Sequence, residues 1–186
     1  MWRTRVGGRG ARCLCLLGVV SMSLGSGLTG AQADEGAGTD PSPVVCARLG
    51  KARDNFALTQ AVRGAYRRLG DPRCQAVLSD FADPSGRTLQ SVLDEEGLTP
   101  QEHLGRLLFY EGKSASGCRN PGVLAFTQPG SRVVYVCTSW FREAFATNPG
   151  LAEDVVIHES LHALGLGENP PSSQEITTRV AERCGR

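Results

Sequence analysis

The chain has 186 residues, 40% hydrophobic and 21% charged, with 20 basic against 19 acidic side chains and 7 cysteines. A formal charge of +1, spread over scattered arginines, gives no electrostatic case for nucleic acid or an anionic membrane as partner. Ten prolines and 23 glycines without a period exclude collagen-like and low-complexity architectures.

Residues 1–33 read as an export signal. Arg3, Arg5, Arg9 and Arg12 make a basic opening, and no acidic residue precedes Asp34. The apolar stretch over 13–28 is broken at Ser21, Ser23, Gly25, Ser26 and Gly27, too early for the ~20 apolar residues of a membrane span. It ends in Ala31-Gln32-Ala33, the small-x-small pattern of a signal-peptidase site. Cleavage after Ala33 would leave 153 residues with 16 basic and 19 acidic side chains, secreted or periplasmic and free of the membrane. Five cysteines stay with that chain: Cys46, Cys74, Cys118, Cys137 and Cys184. In an oxidising compartment they are disulfide candidates before they are metal ligands, and none forms a Cys-x-x-Cys pair.

Residues 34–44, small, polar and bearing prolines, read as a flexible linker to a single domain over 45–186. The pattern over 45–111 is helical. Asp71-Pro72 opens a helix to about residue 81, Thr88 one that stops at Gly97, and Thr99-Pro100-Gln101-Glu102 is a capping box launching a helix to about residue 110. The period then changes. Two β-prone runs, 123–127 and 132–138, flank the turn Gln128-Pro129-Gly130-Ser131 as a hairpin. Cys118 and Cys137 at its outer ends are placed to bridge, and Cys46 with Cys74 could close the first helical pair, leaving Cys184 over. Asn148-Pro149-Gly150 starts a helix over 151–164 ended by Gly165. Ser172-x-x-Glu175 caps a last helix to about residue 184. The class expected is α+β.

The late helix carries His158-Glu159-Ser160-Leu161-His162. At about 100° per residue the two histidines share one face, one turn apart, which suits a single Zn²⁺. Glu159 lies beside that face, where it can act as general base on a metal-activated water. Three histidines and eleven glutamates would fall into this pattern by chance in roughly 0.3% of chains of this length. The remaining histidine, His103, reads as a surface or staple residue.

The segment resembles the active-site helix of the zincin metallopeptidases. His158-Glu159-x-x-His162-x-x-Gly165-x-x-Glu168 is similar to the metzincin motif in register, with Glu168 where that group usually carries its third ligand. The likeness is local, because metzincins place a methionine turn under the zinc and the only methionines here are Met1 and Met22. Upstream, Cys118, Ala125-Phe126, Pro129, Val134-Tyr135-Val136-Cys137 and Phe141 resemble the aspzincins, deuterolysin-like peptidases. In those, an acid at the head of the next helix is the third ligand, a position held here by Glu175. Glu175 also has a local explanation as the capping-box acid, which favours Glu168. The family's Gly-Thr-x-Asp signature is absent.

The resemblance implies a secreted zinc metalloendopeptidase with a zincin-like fold, acting on peptide or protein substrates. It also implies that an edge strand, expected at 132–138, takes substrate by strand addition. Tyr135, Tyr110, Trp140 and several arginines are candidate oxyanion donors, with none assigned. The alternatives are a secreted binding protein with a vestigial or structural zinc site, and a disulfide-stapled module without metal.

Overall fold

A four-stranded mixed sheet is built from β1 (Cys46–Arg48), β2 (Leu108–Glu111), β3 (Ala125–Thr127) and β4 (Val133–Val136), with β-branched or aromatic residues in the last three. The computed structural model describes residues 43–185; the signal-peptide reading and nearly all of the linker lie outside the described residues. The strand order is β1-β2-β4-β3. β2 is paired in parallel on both flanks, by β1 and β4, while β3 runs antiparallel to β4 with Phe126 opposite Tyr135. The expected hairpin is therefore present, shortened at both ends.

The helices are α1 (Ala52–Arg68), α2 (Pro72–Gln75), α3 (Val77–Asp80), α4 (Leu89–Glu96), α5 (Pro100–Gly105), α6 (Thr138–Thr147), α7 (Pro149–Ala163) and α8 (Ser173–Cys184). The class is α+β, as the sequence suggests, but the reading of 45–111 as wholly helical needs correction. The helix opened by Thr99 stops at Gly105, and the run after it becomes the central strand. A short apolar run fits either state; Phe109, only 2% exposed, is decided by partners on both sides. β1 lies in the same stretch. The helix expected over 71–81 divides at Ala76 into α2 and α3. α6 occupies a segment that the sequence leaves unassigned beyond the hairpin.

α7 is the axis of the core. It packs against α1, α6, α8 and β3, and Ala152, Val156, Ile157 and Leu161 are essentially inaccessible. Its start follows from the sequence: the Asn148 side chain accepts the Leu151 N–H at 3.2 Å, with Pro149 in the first turn. Gly64 lets α1 come close, since a Cβ there would lie 2.2 Å from Glu153 Oε1. One guanidinium then ties three helices together. Arg68 on α1 donates to the Cys184 carbonyl at 2.8 Å, to the Gly150 carbonyl and Glu153 at 3.3 Å, and to Asp154.

Two disulfides staple the domain, Cys118–Cys137 and Cys74–Cys184. The first is the expected hairpin bridge. The second corrects the Cys46–Cys74 reading: α2 packs beside α8, so buried Cys74 meets Cys184, while Cys46 lies on β1. Two disulfides fit an extracellular protein. Among the described residues no helix is long and apolar enough to cross a membrane.

Candidate metal centre

His158 and His162 project from one face of α7 with their Nε2 atoms 3.0 Å apart. The helix ends immediately afterwards. Gly165 adopts φ 107°, a left-handed conformation open to glycine and strained for other residues, and the chain turns back. That reversal brings Glu168 over the two rings, with Oε1 3.4 Å from His162 Nε2 and 3.9 Å from His158 Nε2. The three donor atoms lie within 4.8 Å of one another, and this group could hold a metal ion.

The outward nitrogens are also engaged. His162 Nδ1–H donates to the Leu166 carbonyl at 2.7 Å, which turns Nε2 toward His158 and Glu168. His158 Nδ1 is 3.0 Å from the Thr177 hydroxyl on α8. Burial, reinforced by its neighbour His162, pushes the His158 imidazole down to about 3, so it is neutral at ordinary pH. Two imidazoles and one carboxylate converging on one point are a donor set that fits Zn²⁺.

Glu159 sits beside this cluster and is 4% exposed. Burial pushes its carboxyl up to about 8; a hydrogen bond from Thr127 opposes the shift and the charge of Glu168 adds to it. Its Oε2 is buried without a hydrogen-bond partner among the described residues. A buried orphan oxygen costs about 1–3 kcal/mol. A dication alongside would favour its charged form.

The four residues form the floor of a cleft of about 460 Å³, walled by Gly117, Val123, Phe126, Thr127 and Pro129. The wall is β3, an edge strand, whose hairpin is pinned to the metal helix by Gly130 N–H donating to the His162 carbonyl at 2.9 Å. The expectation that 132–138 forms the edge is therefore corrected: β4 is interior, between β2 and β3. Phe126 is stacked on Tyr135 at 5.3 Å between ring centres, and a Cβ on Gly117 would come 2.7 Å from the Phe126 ring.

Glu175 lies elsewhere. Its carboxylate accepts from the Ser172 backbone N–H and hydroxyl, both at 2.7 Å, completing the capping box. The groove of about 480 Å³ that it lines, with Asp80 and Arg179, contains no histidine. Tyr135, Tyr110 and Trp140 do not line the metal cleft. His103 is not a surface residue: it is 4% exposed and lies under α7, with Nε2 3.3 Å from the Ser160 carbonyl. Sequence reasoning missed Thr177 and the Leu166 carbonyl. Compared with known proteins, the chain matches no family model, no curated protein and no solved structure.

Proposed function

We propose that this chain is an exported zinc-dependent endopeptidase of zincin type, acting on peptide or protein substrates. The carrying observation is the convergence of His158, His162 and Glu168 beside a buried, unpartnered Glu159 at the floor of an open cleft. Zinc held by His158, His162 and Glu168 would supply Lewis acidity that makes water nucleophilic near neutral pH and polarises a carbonyl. Glu159 would accept a proton from the attacking water and deliver it to the departing amine nitrogen. β3 offers its unpaired edge to an extended peptide laid along the cleft. Cleavage of the leader after Ala33 and passage to an oxidising compartment accord with the two disulfides.

A second reading is a non-catalytic zinc-binding protein. It is favoured by the cleft lining, which among the described residues includes no Tyr, Arg or Lys and offers only Asn120, Thr127 and Ser173 as side-chain donors outside the metal motif for a developing oxyanion. The discriminating experiment measures zinc content and hydrolysis of a peptide library by the mature protein. Stoichiometric zinc with cleavage abolished by chelator and restored by Zn²⁺ supports the peptidase. Zinc without cleavage moves the assignment to the second reading.

A further inference from the structure

We infer that Thr177 is a positioning residue for the metal centre, held in register by the Cys74–Cys184 disulfide. The inference rests on the metal reading of His158, His162 and Glu168 and extends it to α8, a helix that supplies no ligand. The two imidazoles are oriented by different means. The partner of His162 is a backbone carbonyl, which no substitution of Leu166 removes. His158 depends on a side chain, the Thr177 hydroxyl at 3.0 Å.

A hydroxyl can serve either tautomer. Accepting from Nδ1–H, it leaves the His158 Nε2 lone pair facing His162 and Glu168. Donating to Nδ1, it supports an Nε2–H aimed at His162 Nε2, 3.0 Å away. Valine, of nearly the same shape, can do neither. The aim of Thr177 is set by the helix that carries it. Ile176, Val180 and Cys184 are the buried face of α8, and Thr177 and Cys184 lie within about 20° of each other around the axis. The bond to Cys74 and the Arg68 contact to the Cys184 carbonyl fix one end of α8; the Ser172–Glu175 capping box fixes the other.

The test compares zinc affinity of wild type, Thr177→Val and Thr177→Ser by competition with a chromophoric chelator, alongside thermal unfolding of each metal-free form. Outer partners of metal ligands are typically worth 10–100-fold in affinity. Thr177→Val should lose about that much at an unchanged melting temperature, and Thr177→Ser should bind as wild type does. Equal affinity in wild type and Thr177→Val overturns the inference alone. Equal losses in both variants overturn it too, since a hydroxyl would then not be the cause. A wild type that takes up no zinc overturns the metal reading and this inference with it. Nitrogen-15 spectra of zinc-loaded wild type need no variant: His158 should carry its proton on Nδ1 and its metal shift on Nε2, and coordination through Nδ1 refutes the role given to Thr177.

Discussion

Removing the two disulfides separately should cost unequal amounts, with the order set by loop length. Cys74–Cys184 closes a loop of 110 residues, Cys118–Cys137 one of 19. The chain-entropy relation assigns about 5 kcal/mol to the longer loop and about 3 kcal/mol to the shorter. Total stability of a domain this size is typically about 5–15 kcal/mol, so the first loss takes a large share of it. Cys74, Cys137 and Cys184 are all buried, so each double variant also deletes packed sulfur and that term partly cancels in the comparison. The assay is urea unfolding of Cys74→Ala/Cys184→Ala and Cys118→Ala/Cys137→Ala, both metal-free. The length term separates the two by about 1.6 kcal/mol, which at a slope of about 2 kcal/mol per molar places the midpoints roughly 0.8 M apart. Equal midpoints, or a larger loss from the short loop, would refute the loop-closure account. That result would locate the long bridge's worth in native packing of α2 against α8.

Glu159→Gln should retain zinc and lose hydrolysis by about 10²–10⁴-fold; a variant as fast as wild type removes Glu159 from the general-base role. Metal-free, the same substitution should flatten a pH dependence. The Glu159 carboxyl is raised in the folded state to about 8, so wild-type stability should fall as pH rises from about 4.5 toward 8, where the unfolded chain's carboxyl ionises while the buried one keeps its proton, and difference melts of the two proteins read this directly. Glu168→Ala should weaken zinc binding while Glu175→Ala leaves it intact and lowers only the melting temperature; the reverse pattern in a chelator competition would transfer the third-ligand role to Glu175. His103 is held neutral by burial, with Arg106 and Arg132 adding to that and Glu96 and the Ser160 carbonyl opposing it. Its effect on stability should be nil above the unfolded value of 6.5 and unfavourable as pH falls below it, so His103→Gln should resist mild acid better than wild type in pH-dependent melts.

What was legible in the sequence is what local chemistry decides. Asn148-Pro149 and Gly165 bound α7, Ser172 and Glu175 start α8, and the Pro129-Gly130 turn joins β3 to β4, each through contacts a few residues apart. The HExxH spacing and the Gly165 reversal foreshadow where Glu168 arrives. The failures share a different cause. β2 became a strand because β1 and β4 flank it, and its own run is equally compatible with helix. α6 follows β4 directly, and Cys137 at its head makes no side-chain cap, so no start signal precedes it. Cys74 finds Cys184 across 110 residues, and Thr177 reaches His158 across 19, distances at which spacing carries no direction.

Buried polar groups are concentrated on α7. Asp54, His103, Glu153, His158, Glu159, Ser160 and His162 are buried, and five of these seven lie on α7. Burying such groups is unfavourable unless they are hydrogen-bonded. Asp54 is paired with Arg142 and Glu153 with Arg68. The Ser160 hydroxyl donates to the Ile157 carbonyl at 2.6 Å, while His103 and both α7 histidines contact oxygen atoms. Among the described residues two buried side-chain polar atoms have no hydrogen-bond partner, Arg63 Nε on α1 and Glu159 Oε2 on α7. A helix selected only to fill the core would place an apolar residue there, as it does at Ile157 and Leu161. An uncompensated acid at this position is what the proposed general-base role calls for. Replacing Glu159 with an apolar residue of similar size should therefore raise the stability of the metal-free fold, which calorimetry can measure. A lowered melting temperature would mean that the carboxyl serves the fold, and the argument for its catalytic role would lose its physical basis.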